Sequence, residues 1–257
     1  MNEIHDANRR GWDAVSAGWQ AKVHARGLWQ RCHREPELVL AQEELTWLRG
    51  ARGKAVCVLG SGDNLVAFAL AGMGARVTSV DISQAQLDTA ACRARELGLD
   101  ICFVRADVCS LDMLPDETFD LVYTGGHVAV WVSDLKRYYS EACRVLRRGC
   151  LFIVNEYHPF RRIWKMNTDR LEREFRYLDR GPFVYDRAEE AKGVATGPLP
   201  SYEFNWTVSD HVTAMLNAGC ELLCLQEFGD GRQDWETAPL EGLPEALLLV
   251  GRKKRPT

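Results

Sequence analysis

From Lys54 onward the chain alternates short apolar runs with amphipathic stretches, and few architectures accept that rhythm. The apolar runs are Val56–Leu59, "RVTSVD" (76–81), "ICFVRAD" (101–107), "FDLVYTGG" (119–126) and "CLFIVNEY" (150–157). Asn64–Ala71, Ser83–Leu97 and Ser133–Leu146 separate them with helix-like patterning. Short runs that stay apolar are strands covered on both faces, and strands that alternate with helices build a parallel sheet wrapped on each side. The expected fold is α/β, a doubly wound, mostly parallel, Rossmann-like sheet.

The punctuation between elements agrees. Ser83 and Gln86 form a capping-box pair, and Gly98 and Gly149 stand where helix C-termini need positive φ. Residues 2 to about 50 are polar with spaced Trp and Leu, and "PELVLAQEELTWL" sets Leu38, Leu45 and Trp47 at roughly helical spacing, so an N-terminal helical extension is predicted. After Tyr157 the rhythm breaks for about fifty residues, an insertion after strand 5 at about 158–206. It resumes with a helix in "TVSDHVTAMLNAG" capped by Ser209, a strand Glu221–Glu227, a long loop, and "ALLLVG". Two closing strands joined without a crossover helix must run antiparallel, giving a seven-stranded sheet whose last strand is reversed.

The first strand runs into "LGSGDN", whose Gly60 and Gly62 can take positive φ and admit a ligand close to the backbone. A dinucleotide fingerprint would place a third glycine where this chain has Leu65. Asp81 ends the second strand about twenty residues later, where a carboxylate can accept from ribose hydroxyls. Asp107 ends the third strand, where a carboxylate can accept from an adenine amino group. Leu65 and Asp107 together disfavour an NAD-dependent oxidoreductase.

The ordered set "VCVLGSGDN", "VTSVDIS", "FVRADV", "FDLVYTGG" and "GCLFIVNE" resembles the motifs of class I S-adenosylmethionine-dependent methyltransferases over about residues 54 to 157, and the reversed closing hairpin is similar too. The resemblance implies S-adenosyl-L-methionine as cofactor. It places Gly60, Ser61 and Gly62 at the methionine end, Asp81 at the ribose, Asp107 at the adenine, and Thr124, Gly125 and Gly126 beside the sulfonium. Ile82 and Val108, Asp63 and Asn64, and Gln86 and Trp19 complete the implied cofactor set. Asn64 departs from the small residue common in the family, but Asn tolerates left-handed φ and can cap the following helix. Residues 1–50 then cover the cofactor site, and 51–257 form the methyltransferase domain.

Methyl transfer is an in-line displacement, so the protein mainly aligns a lone pair and excludes water. A base for a protic nucleophile would stand near the ends of strands four and five, where His127, Glu156 and His158 are the candidates. His211, inside a predicted helix, reads as an ordinary helix residue. The insertion carries nine aromatic residues in forty-nine, twice the chain's average, which suits a lid over an apolar pocket or a packed insertion. Its nine basic and eight acidic residues make no phosphate-binding stripe.

A net charge of −4 supplies no positive field for nucleic acid or an anionic membrane. "YTGGH" stands where amino-methylating nucleic-acid enzymes carry an Asn/Asp-Pro-Pro-Tyr/Phe run, and no Pro-Cys pair offers a cytosine-attacking thiolate. These absences favour a small-molecule acceptor. A non-catalytic S-adenosylmethionine-binding module and an RNA methyltransferase stay open as alternatives. None of the nine cysteines forms a Cys-x-x-Cys pair, so no zinc or other metal site is expected. Their odd number within apolar runs, and a charged N-terminus unlike an export signal, read as a cytoplasmic protein; no run approaches the length of a membrane span.

Overall fold

The computed structural model describes residues 1–255 except 192, 195, 196 and 231–236. The strands are β1 (Ala55–Leu59), β2 (Arg76–Asp81), β3 (Ile101–Arg105), β4 (Phe119–Gly125), β5 (Leu146–Tyr157), β6 (Phe183–Asp186), β7 (Pro200–Glu203), β8 (Cys220–Phe228) and β9 (Ala246–Lys253). The helices are α1 (Glu3–Arg26), α2 (Gln42–Leu48), α3 (Leu65–Gly72), α4 (Gln84–Leu97), α5 (Leu135–Val145) and α6 (Val208–Asn217). Seven strands form one sheet in the order β3-β2-β1-β4-β5-β9-β8. β1 to β5 pair in parallel, and β9 runs antiparallel to both β5 and β8. The doubly wound, Rossmann-like arrangement with a reversed last strand is therefore the fold. The order reverses between β1 and β4, opening the crevice at the strands' carboxyl ends where ligands bind in such sheets.

Alternation along β1 feeds two cores. Val56 and Val58 join Val77, Leu121, Tyr123, Ile153 and Phe68 on the side of α2 and α3. Cys57 and Leu59 join Val80, Val122, Tyr138, Tyr139, Phe152 and Val154 on the other. This two-sided burial is why β1 reads as an unbroken apolar run. α3 is apolar nearly all round because it is sunk in the core, with Ala67, Phe68, Ala69 and Leu70 fully buried.

Several sequence-level boundaries shift. The last helix is capped by Thr207 rather than Ser209: the Thr207 hydroxyl accepts from the Asp210 amide, and the Asp210 carboxylate accepts from the Thr207 amide at 2.9 Å. Ser83 caps α4 as expected, but only half the capping box exists, because the Gln86 side chain turns to Gln20 instead. Gly98 ends α4 at φ 67. Gly149 also has positive φ, 78, but lies past α5, which passes straight into the extended Leu146. The N-terminal extension is dominated by one 24-residue helix; Leu38 belongs to a separate 3-10 turn, Pro36–Leu38, before the short α2. The insertion holds the antiparallel β6–β7 pair, whose strands the sequence reading did not anticipate. The predicted long loop after β8 falls partly on 231–236, outside the described residues.

All nine cysteines are free thiols; four are buried, while Cys92 and Cys102 are exposed. No helix among the described residues is long and apolar enough to cross a membrane.

Candidate active site

A cavity of about 620 Å³ opens over the carboxyl ends of β1, β2, β3 and β4. Its floor is the turn after β1. Gly60 stands at φ 61 and Gly62 at φ 48, and Ser61 is tied down by its amide donating to the Val80 carbonyl at 3.0 Å. Asn64 takes the left-handed conformation at φ 64, but its side chain makes no helix cap. It donates to the Gly62 carbonyl at 2.9 Å and accepts from the Ser79 hydroxyl, so Asn64 braces the loop from beneath, fully buried. Asp63 reaches the cavity wall and accepts from the Leu65 amide at 3.2 Å, and burial raises its pKa.

Asp81 presents both oxygens to backbone: one accepts from Gly62 at 2.7 Å and the other from Ser83 at 2.8 Å. Burial raises its pKa, and those amides work against the rise. Each carboxylate oxygen keeps a lone pair for a ligand. Ile82 and Gln86 line the cavity beside it. Asp107 and Val108 line the β3 end. Burial pushes the Asp107 carboxyl up, but the bond to His5 and the Cys109 amide outweigh it and leave the pKa lowered.

Helix α1 forms the opposite wall. His5 Nδ1 lies 2.7 Å from Asp107 Oδ2, while its Nε2 accepts from the Ser133 amide at 2.9 Å. That acceptance fixes the tautomer, so Nδ1 donates to Asp107. His5, Asp107 and Cys109 bring ligand-type atoms within 4.8 Å of one another. The ring is committed at both nitrogens, however, and burial raises the Cys109 thiol, so the cluster is a hydrogen-bonded anchor. Asn8 ties α1 to the insertion by accepting from the Tyr202 amide at 2.7 Å and donating to its carbonyl at 2.9 Å. Trp12 and Trp19 face the cavity with Trp131, and Trp12 meets both other rings edge-on.

At the β4 and β5 ends, Gly125, Gly126 and His127 line the cavity, as do Tyr123 and Asn155. Thr124 does not: it is fully buried on the other face of the sheet and bonded to Tyr138. Tyr123 donates to Glu44 at 2.6 Å, a pair buried beneath Gly125. His127 adopts φ 73 and packs its ring 4.4 Å from that of Tyr157. Burial, aided by Arg162, lowers its pKa to about 3, so the imidazole is neutral at ordinary pH. Glu156 and His158 fall outside the main cavity. The Glu156 carboxylate accepts from the Ala129 amide at 2.9 Å and lines a small separate cavity with His211; burial raises its pKa to about 7 against the Ala129 and Val128 amides. His158 accepts from the Phe160 amide at one nitrogen and bonds Glu227 at 2.7 Å with the other. His211 is no idle helix residue, for its Nδ1 is 2.7 Å from the Tyr139 hydroxyl deep in the core.

Residues 57–154 match the family model described as a methyltransferase domain. An uncharacterized methyltransferase of Bacillus subtilis, YbaJ, is 32% identical over 165 residues, 62% of this chain and 64% of the relative. Residues 57–154 carry a methyltransferase domain, set in a Rossmann-like methyltransferase fold. A ubiquinone biosynthesis O-methyltransferase of Methylobacterium is 26% identical over 151 residues, 57% of this chain and 60% of the relative. The matches thus span about three fifths of the length of both curated relatives. A Mesorhizobium loti structure described as an S-adenosylmethionine-dependent methyltransferase shares the fold, with a TM-score of 0.60 and 23% identity over 82% of this chain and 98% of that one.

S-adenosylmethionine, the cofactor of this methyltransferase family, fits the residues present. An added Cβ at Gly62 would meet nothing within 4 Å, so the loop leaves the cavity floor open. Two carboxylates stand where hydroxyl and amino protons need acceptors, and the buried amide nitrogen of Gln86 has no partner among the described residues. Sequence reasoning paired Trp12 with Trp19 on one face of the N-terminal helix but missed His5, Trp131, Tyr123 and Asn155.

Proposed function

We propose that this methyltransferase moves a methyl group from S-adenosylmethionine to a small-molecule acceptor, with α1 closing the cofactor site. The observation that carries the proposal is the cavity wall: α1, Trp131 and the turn residues before α2 roof the strand ends. A roofed pocket of this size suits a cofactor plus a compact acceptor, whereas a polymer needs an open groove. The name of the Methylobacterium relative, an O-methyltransferase, supports a compact hydroxylated acceptor.

When bound, the cofactor supplies a methyl carbon made electrophilic by positive sulfur. The chain's residues do the rest. Gly60, Ser61, Gly62 and Asp63 would hold the methionine portion, Asp81 and Gln86 the ribose, and Asp107 with Val108 the adenine. The three tryptophans exclude water, which keeps competing hydrolysis out. His127, neutral and beside Gly126, can accept a proton from the acceptor. A base with so low a pKa is weak, so alignment is the main source of rate.

Incubating the chain with methyl-labelled S-adenosylmethionine and either a small-molecule extract or total RNA tests this. Label is expected in small-molecule products. Label confined to RNA, or cofactor binding without transfer to either pool, overturns it.

A further inference from the structure

Arg93 and Gln86 lie seven apart on α4, hence on one face, which packs against α1. The Arg93 guanidinium is nearly buried and rests 5.0 Å from the centre of the Trp29 ring. A guanidinium can only donate. It donates to the side-chain oxygen of Gln20 and, at 3.1 Å, to the Gln20 carbonyl. The orientation of the Gln20 amide is therefore forced: its oxygen faces Arg93, and its NH2 donates to the side-chain oxygen of Gln86. The polarity passes on once more. Gln86 must turn its oxygen to Gln20, which leaves its own NH2, buried and without a partner among the described residues, on a side chain that lines the cavity.

Asp81, also on the cavity wall, can only accept when ionised, and both its oxygens already hold backbone amides. A vicinal diol needs acceptors for its protons and a donor for its oxygens. Asp81 supplies the first and Gln86 the second.

We propose that Arg93, acting through Gln20, orients Gln86 so that its NH2 donates to a ribose hydroxyl oxygen of the bound adenosyl group, making the site selective for cofactors with an intact diol. The proposal rests on reading the cavity as the adenosyl site. Gln86 is the contacting residue; Gln20 and Arg93 are positioning residues. Breaking the relay at Gln20 frees the Gln86 amide to rotate its oxygen toward the diol, where it cannot donate.

The test is calorimetric titration with S-adenosylhomocysteine and its 2′,3′-dideoxy analogue. Gln86→Met is expected to weaken S-adenosylhomocysteine binding by about 5- to 100-fold, the cost of an unmade buried hydrogen bond, and to leave the weaker dideoxy binding within about twofold. Gln20→Met is expected to weaken S-adenosylhomocysteine binding in the wild-type background and to change nothing further once Gln86 is Met. Gln86→Glu, which keeps an acceptor for Gln20 while exchanging the donor for an oxygen, guards against misfolding and should show the same loss. Equal losses for both ligands, or a Gln20→Met effect that persists in the Gln86→Met background, overturn the proposal while leaving the adenosyl site intact. No heat from wild-type protein with either ligand instead overturns the adenosyl reading itself, and the proposal with it.

Discussion

Gly60 sits at φ 61, and a Cβ there would fall 2.5 and 2.6 Å from the two methyl groups of Val128. Gly62, two residues on, has φ 48 and would place a Cβ in open space. The pair separates two costs that usually arrive together. Left-handed backbone costs an alanine about 1–2 kcal/mol, and that is the whole expectation for Gly62→Ala. Gly60→Ala carries the same strain plus overpacking against a nearly buried valine, about 1–3 kcal/mol more. The total is about 2–5 kcal/mol, enough to threaten a domain of ordinary stability. Urea denaturation of both single variants, Val128→Ala and the Gly60→Ala/Val128→Ala double variant gives the cycle. Val128→Ala removes the clashing methyls, so the double variant should be more stable than the sum of the singles by about 1–3 kcal/mol. Val128 also lines the cavity, so Gly60→Ala should weaken S-adenosylhomocysteine binding as the valine is pushed inward. Equal destabilisation by Gly60→Ala and Gly62→Ala, with no coupling to Val128, would refute the close approach between the first loop and the segment after β4.

The two buried groups at the β4 and β5 ends give opposite pH slopes. Burial, then Arg162, lowers His127 to about 3 from an ordinary value of 6.5, so between these the unfolded chain binds the extra proton and stability rises with pH. Burial raises Glu156 from 4.5 to about 7, so its contribution is complete below 4.5 and is lost as pH climbs through about 7. His127→Asn, which tolerates positive φ, should flatten the acid limb, and Glu156→Gln the decline toward neutrality; curves parallel to wild type in urea titrations would exclude both assignments. His5→Ala removes the clamp from α1 to Asp107 and the Ser133 amide. Amide exchange in the first turns of α1 should then accelerate about 5- to 100-fold, while the core strands keep their protection. Uniform acceleration, or none, would show that α1 is not held there.

Side-chain parity explains which site residues the sequence disclosed. The strands were legible because cover on both faces makes them continuous apolar runs, and Asp81 and Asp107 were legible because strand ends mark the crevice in any such sheet. A continuous run, however, erases the alternation that tells one face from the other. Thr124 and Glu156 are one residue from Tyr123, Gly125 or Asn155 on their own strands, so the pleat turns them away from the cavity, toward Tyr138 and the Ala129 amide, while His158 lies just past β5, caps the 3-10 turn Pro159–Ile163 and bonds Glu227. Their neighbours Tyr123, Gly125 and Asn155 turn inward. His127 reaches the cavity only because it leaves the strand at φ 73. The N-terminal helix was expected, but the contacts of α1 were illegible for a different reason. Its buried face mixes Ala7, Val15 and Val23 with His5, Asn8, Ser16 and Gln20, and the side-chain partners of His5, Asn8 and Gln20 lie more than sixty residues away in sequence. Apolar periodicity reports burial against a core; this helix is buried against a site, and a site asks for hydrogen bonds where a core asks for methyl groups.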